Sequence, residues 1–331
     1  MAAVTLASLS TLFQSDIFKD ILQGEFTHRL SLFNSLLMEA PDSLISPNET
    51  GELVTFRKMN VLTGDMDQIT SGLTTTINAV IPWKDTAAWV EREKAWGVEE
   101  MVNVVTGDDL TTFIAGMIAE YLAAQVHKSA IATLTGVFAT ALSTTHIKDD
   151  GTNLINTDGV LALKQLLGDN ADKLSQFVCN SKVKSDAVKL GLTNQVQSTG
   201  DIINTGLFDA ILGLRISTTD LLTMIGSQYP SYAGMMGSMI YKFRNRRRNS
   251  YTNANEFDLG MATIELNRIA TVNGGQDQMI LRASYLTHVP GVRFNGTVTS
   301  NPTDAELATG TTWTKTAPDD KLIPLVQYLS A

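Results

Sequence analysis

Apolar side chains recur at helical spacing near the start of the chain. Phe13, Ile17, Phe18, Ile21 and Leu22 lie on one stripe, and Phe26, Leu30, Phe33 and Leu37 continue it until Pro41 and Pro47. The spacing predicts a helix with no obvious companion nearby in sequence. Two readings stand: it packs on its own domain, or it is an arm that reaches another copy of the chain. Further on, Leu53–Leu62 and Leu73–Pro82 are rich in Thr, Val and Ile and flank the polar stretch Thr63–Gly72, the pattern of a long hairpin. Both strands mix polar and apolar residues on their two faces. A two-stranded ribbon is marginal alone in water, so this one is expected to lie on another surface.

The strongest periodic signal runs from Asp109 to Leu142. Leu110, Phe113, Ile114, Met117, Ile118, Tyr121 and Leu122 form one stripe, which Ile131, Leu134, Phe138 and Leu142 resume; Asp108 or Asp109 is placed to cap the start. A helix of that length would span about 50 Å at ~1.5 Å per residue, longer than most globular domains need. Residues 155–275 then alternate short elements. Helices are expected at Asp158–Leu167 and Ser181–Leu190, the latter stopping at Gly191, and strands at Phe177–Cys179, Leu212–Ser217 and Met261–Ile269. After Gly274 and Gly275, Met279–Val289 and Val292–Val298 read as strands. Asn301, followed by Pro302, is expected to cap a short helix that ends by Gly310, and Leu322–Leu329 reads as a last strand. The fold class is α+β.

Composition narrows the function. The 331 residues are 44% hydrophobic, enough for a sizeable core, and 18% charged, below the roughly 25% usual for soluble domains. A surface short of charge is consistent with a surface covered by other subunits. The net charge of −9 excludes a general nucleic-acid binder, because phosphate binding depends on neutralisation; any DNA contact needs a local basic patch. The single Cys179 excludes an intramolecular disulfide and a thiolate zinc site, and fits folding in a reducing compartment. The first basic residue is Lys19, so Ala2–Phe13 lacks the positive start of an export signal, and Glu120 and Gln125–Lys128 break the best apolar run. The chain is expected to be soluble when made and to have no membrane partner.

Motifs for chemistry fail in turn. G-x-G-x-x-G and the P-loop are absent, and His28, His127, His146 and His288 are scattered. Ser181–Lys184 satisfies S-x-x-K, but Ser185-Asp186-Ala187 and Lys315-Thr316-Ala317 each lack the last residue of the companion elements such a serine hydrolase requires. Asp149–Asn153 has the composition of a calcium loop without its spacing, and reads as a turn. No catalytic residue, cofactor or metal is expected. One cluster stands out: Lys242, Arg244, Arg246, Arg247 and Arg248 place five cations in seven residues. They suit an exposed or intersubunit loop paired with carboxylates, a contact with DNA phosphates, or a solvated loop. Alternation at Lys242–Arg246 also suits a strand edge, where cations block unwanted pairing.

The order of parts (apolar arm, extended hairpin, long helix, α/β block, returning strands) resembles the Hong Kong 97 fold of tailed-phage major capsid proteins. Phe177–Leu192 (FVCNSKVKSDAVKLGL) is similar to the strand-to-helix step of that family's axial domain. His288–Thr297 (HVPGVRFNGT), Asn301–Ala308 (NPTDAELA) and Lys321–Ser330 (KLIPLVQYLS) are similar to the close of many phage coat sequences. The resemblance implies an N-arm at 1–50, an E-loop at 51–93, a peripheral domain with the spine helix at 94–154, an axial domain at 155–275 and a return to the peripheral domain at 276–331. It implies pentamers and hexamers closing an icosahedral shell around double-stranded DNA, assembled in the host bacterial cytoplasm, with the virion capsid as destination. Partners implied are the chain itself, a portal, a decoration protein and a scaffolding protein that is separate or already removed. Encapsulins, nanocompartment shells of the same fold, are the alternative, and a serine hydrolase using Ser181 the remote one. On the arm reading, deletion of residues 1–40 is expected to leave soluble protein that forms no stable shells.

Overall fold

The computed structural model describes residues 16–33, 36–45, 51–59, 82–98, 110–196, 208–244, 256–269, 276–295 and 301–331. The chain begins with α1 (Asp16–Phe33), β1 (Leu37–Glu39), β2 (Leu53–Met59), β3 (Pro82–Ala88), β4 (Val90–Val98) and the spine helix α2 (Leu110–Gly136). There follow β5 (Ile147–Asp149), α3 (Thr157–Gln165), β6 (Gln176–Cys179), α4 (Ser181–Lys189), β7 (Asn194–Val196), β8 (Phe208–Ile211), β9 (Leu214–Thr218) and β10 (Tyr229–Gly234). The remainder is β11 (Met239–Phe243), β12 (Glu256–Asp258), β13 (Ala262–Ile269), β14 (Gln276–His288), β15 (Val292–Phe294), α5 (Asp304–Leu307), β16 (Trp313–Lys315) and β17 (Leu325–Ser330).

α1 forms as its spacing predicts and turns Phe18, Leu22 and Phe26 inward, all fully buried. They join the core of its own chain with Ile118 and Leu122 of α2 and Tyr241 and Phe243 of β11; the Phe26 ring meets Phe243 edge-on at 5.2 Å. Arg29 adds an ion pair to Glu120 of α2 at 3.0 Å. The first of the two readings therefore describes this helix. The expected stripe overran, because Leu37 belongs to β1 and the helix has ended before Pro41.

The spine is 27 residues of α-helix, about 40 Å at ~1.5 Å per residue. It closes in a π turn, Val137–Ala141, where the Leu142 N–H donates to Val137 O at 3.1 Å. Ile118, Leu122, Leu134, Phe138 and Leu142 are buried as expected, but so are Ala119, Ala123, Val126 and Ala130. The helix is covered on more than one side, and Met117 alone of its large apolar residues stands out among those described. The expected caps Asp108 and Asp109 lie outside the described residues, as do Phe13, Pro47, Thr63–Gly72, Leu73–Ile81, Gly274, Gly275 and Val298.

Two sheets flank the spine. In one, the 13-residue β14 carries β4 along one edge (Tyr285↔Val90 to Asp277↔Val98), while β13 and then β11 share the other. β11 in turn takes β1 in parallel, Leu37↔Met239. The second sheet runs β5-β17-β10-β6-β9-β8-β7. Its strands alternate between two cores: Val178, Tyr232 and Leu325 face the spine, while Phe177, Ala233, Val326 and Tyr328 face α3 and α4. The helices there follow their caps: Asn156 Oδ1 accepts from Gly159 N, Asn180 Oδ1 from Lys182 N, and α4 stops before Gly191 at φ +68°. The expected strand Leu212–Ser217 forms as β9 from Leu214 on, while its first two residues make a tight turn after β8, with Leu212 at φ +48° and Gly213 at +84°. Within the block 155–275, β11 and β13 pair with β14 and β12 pairs with β13, so these strands join the first sheet and not the second.

The hairpin's second described strand is β3, which pairs with β2 from Leu53↔Ala88 to Met59↔Pro82. The ribbon is one-sided at this end. Val54 and Phe56 are buried while Thr55 and Arg57 are exposed, so the expectation of two mixed faces does not describe its root. Asn301 does not cap the last helix. Thr303 does, in a reciprocal box with Glu306, and Asn301 sits upstream at φ +46°. Among the described residues no helix is long and apolar enough to cross a membrane.

Candidate functional site

The basic cluster divides in space. Lys242 lies in β11, which has β1 on one side and β14 on the other; it pairs with Leu286 of β14, one residue past the end of the β1 register at Tyr241. It is 5% exposed, and its ammonium donates to Glu39 Oε1 at 2.9 Å and Asp42 Oδ1 at 2.5 Å. Burial pulls the Lys242 pKa down, but Asp42 and Glu39 outweigh it and the net shift is upward. Arg244 follows β11 and is also 5% exposed. Its Nη2 donates to Glu91 Oε1 at 2.7 Å, Nε to Ser284 Oγ at 3.3 Å and Nη1 to the Gly51 carbonyl, while Cζ lies 4.7 Å over the Trp89 ring. Both cations thus engage carboxylates of their own chain. Arg246, Arg247 and Arg248 lie outside the described residues.

A second hub sits beside the first. Arg92 of β4 donates to Asn301 Oδ1 at 2.9 Å, Pro302 O at 2.8 Å and Asp304 Oδ1 at 3.2 Å. Asp304 also accepts from the Ser129 hydroxyl of the spine at 3.0 Å and pairs with Lys128 at 3.4 Å. Asn301, read from sequence as a cap, is instead part of this tie between β4, the spine and α5. Asp85 of β3 is fully buried, and its carboxylate accepts from Gly291 N at 2.9 Å and the Thr316 hydroxyl at 2.6 Å. Sequence reasoning missed Asp85, Trp89, Glu91 and Arg92 as anchors, since their partners lie far away along the chain.

The residues weighed for catalysis have structural surroundings. Ser181 opens α4, with its Oγ 3.5 Å from Asn180 Oδ1 and its N–H donating to Asp220 Oδ1 at 3.2 Å. Lys315 pairs with Asp320, and burial raises the Cys179 thiol to about 12, far from a reactive thiolate. Asp149 and Asp150 shape a turn, Asp149 accepting from Gly151 N at 2.7 Å and Asp150 from Asn156 Nδ2 at 2.9 Å. No group of three metal-type side chains gathers among the described residues.

His127, His146 and His288 are buried. Burial lowers the His127 pKa from 6.5 to about 4 and, chiefly by the same cause, depresses that of His146. As pH falls through 6.5 the unfolded chain takes up a proton at His127, which the folded chain resists until about 4. The stability His127 contributes is therefore complete above 6.5 and lost on descending toward 4. We expect the urea midpoint to fall across that window and to fall less in His127→Gln; an identical pH profile in the variant would refute the assignment.

No family model matches the chain. The major capsid protein of Bacillus phage SPP1 is 25% identical over 262 residues, covering 74% of this chain and 72% of that protein. A solved chain from Mycobacterium phage Bobi has TM-score 0.51 at 10% identity, covering 92% of this chain and 90% of its own. One from Microbacterium phage Oxtober96 has TM-score 0.50 at 12% identity, covering 88% and 90%. With its spine helix between two sheets and its ribbon rooted on β14, the chain has the Hong Kong 97-like fold of phage capsid proteins. A phage major capsid protein is thus among the proteins this chain is similar to, on a fold of the same class.

Proposed function

We propose that this chain is the major capsid protein of a tailed phage, building pentamers and hexamers of an icosahedral shell around double-stranded DNA. The observation that carries this reading is the extended likeness to the SPP1 major capsid protein, over 74% of the chain, on a fold of the same class. Copies meet through heterologous contacts repeated about symmetry axes, the geometry that closes a shell. In this reading the role is structural and uses no catalytic residue.

Residues 51–93 are then the E-loop, the spine and the β4–β14 sheet the peripheral domain, and the seven-stranded sheet with α3 and α4 the body of the axial domain. Residues 1–50 supply the N-arm, whose helix α1 is integrated with the peripheral core. Assembly takes place in the host cytoplasm with a scaffolding protein and a portal, and a decoration protein joins the finished virion capsid. Since Lys242 and Arg244 engage internal partners, a contact with DNA or a neighbouring subunit falls to Arg246, Arg247 and Arg248.

Electron microscopy of the expressed chain, with and without a co-expressed scaffold, tests the proposal. Uniform closed shells are expected. A monodisperse monomer under every condition would sink it.

A further inference from the structure

The β2–β3 ribbon is joined to the body at two buried charged side chains of opposite sign. The first is Arg244. Gly51, whose carbonyl it holds, precedes β2; Trp89, on whose ring it stacks, and Glu91, with which it pairs, follow β3. One guanidinium therefore grips both strands of the ribbon at its base, where the Trp89 N–H also donates to Glu52 O at 3.0 Å. Ser284 of β14 holds Arg244 from the other side: its Oγ accepts from Nε, and its carbonyl accepts from the Arg244 N–H at 2.7 Å.

The second is Asp85, further along β3 and opposite Phe56 in the register. Its carboxylate is satisfied by the Gly291 turn after β14 and by Thr316 after β16. Gly291 O in turn accepts from the N–H groups of Thr316 and Ala317, both at 3.0 Å, so the site that receives Asp85 is itself tied together. Level with this second anchor, Phe56 lies edge-on to His288 of β14 at 5.2 Å.

A single attachment would leave the ribbon a pivot. Two attachments separated by the four residues from Asp85 to Trp89 and the five from Gly51 to Phe56, about 13–17 Å at ~3.3 Å per residue, fix an axis. Both are charged groups removed from water, so a tilt that strips either of its partners exposes the chain to the cost of an uncompensated buried charge. Fork geometry makes Arg244 the stricter of the two, because its separate N–H groups serve separate strands.

We infer that Arg244 and Asp85 are positioning residues that set the direction in which the β2–β3 ribbon leaves the body before subunits meet. The consequence for assembly rests on the capsid reading; the positioning itself does not. A ribbon already aimed at its neighbour spares association the cost of ordering it.

Hydrogen exchange of the full-length, unassembled chain tests this. In Arg244→Lys, which keeps the charge and loses the fork, amides of Leu53–Met59 and Trp83–Ala88 should exchange at least about tenfold faster, while Gln176–Cys179 and Leu325–Ser330 are unchanged. Asp85→Asn, retaining one carbonyl acceptor, should give a smaller change confined to the same strands. Should Arg244→Lys fail to fold, Glu91→Ala, at a half-buried side chain, must show the local acceleration alone. No change in the ribbon, or equal acceleration in both sheets, overturns the inference, the latter because it marks loss of global stability only. Shell yield is read separately. Normal yield from a variant with a loosened ribbon would overturn the link to assembly, whereas absence of shells from the wild-type chain would count against the capsid reading and leave the exchange result standing.

Discussion

Replacing Gly136 with alanine should destabilise the chain by about 2 kcal/mol, although alanine is the better helix former by roughly 1 kcal/mol. Gly136 ends the α-helical part of the spine, where the stretch from α5 to β16 crosses it. A Cβ there would sit deep inside contact with the Leu307 carbonyl and 2.6 Å from Trp313 Nε1. Neither neighbour yields easily: the Trp313 indole is buried and donates to that same carbonyl at 2.7 Å. Overpacking against backbone and a locked ring costs a few kcal/mol, which outweighs the gain in propensity. Gly24 of α1 supplies the control, since nothing lies within 4 Å of a Cβ built there. Gly24→Ala should gain up to about 1 kcal/mol. Urea denaturation of both variants gives the comparison, and a Gly136→Ala midpoint at or above wild type would show that the crossing is looser than described.

The sequence was legible where local signals and the tertiary environment agree. The spine, α3, α4, β6, β13 and β14 could each be read from spacing or from a cap next to it. Thr303 and Glu306 also carry a capping signature in the sequence, T-x-x-E, which the more conspicuous Asn301-Pro302 pair overshadowed. Lys242 illustrates what was not legible. Its pattern suits a solvated cation, yet the Glu39 and Asp42 carboxylates that neutralise it lie some 200 residues earlier, in and just after β1. Asp85 and Arg244 were hidden for the same reason: a buried charge is recognisable only through its partners, and Gly291 and Thr316 are more than 200 residues from Asp85. Long-range pairing of this kind leaves no periodicity behind.

The same argument changes what removal of the N-terminal segment should do. Deleting residues 1–40 takes away α1 and β1, and with them Phe18, Leu22 and Phe26, each fully buried in the core shared with the spine. At roughly 1.5–3 kcal/mol for each side chain buried, the loss is comparable to the whole stability of a domain. The truncated chain should therefore be insoluble or unfold at low urea, and not remain a sound subunit that merely fails to assemble. Phe26→Ala should alone cost about 3–5 kcal/mol, because its ring fills the space between Tyr241 and Phe243. Ile17 separates the two roles of the helix. It is 68% exposed, so Ile17→Asp should leave the urea midpoint within about 0.5 kcal/mol of wild type. If α1 also touches a neighbouring subunit through its outer face, that variant should lower shell yield at unchanged stability. A truncated chain as stable as the full-length protein would refute the core assignment and return α1 to the role of a detachable arm.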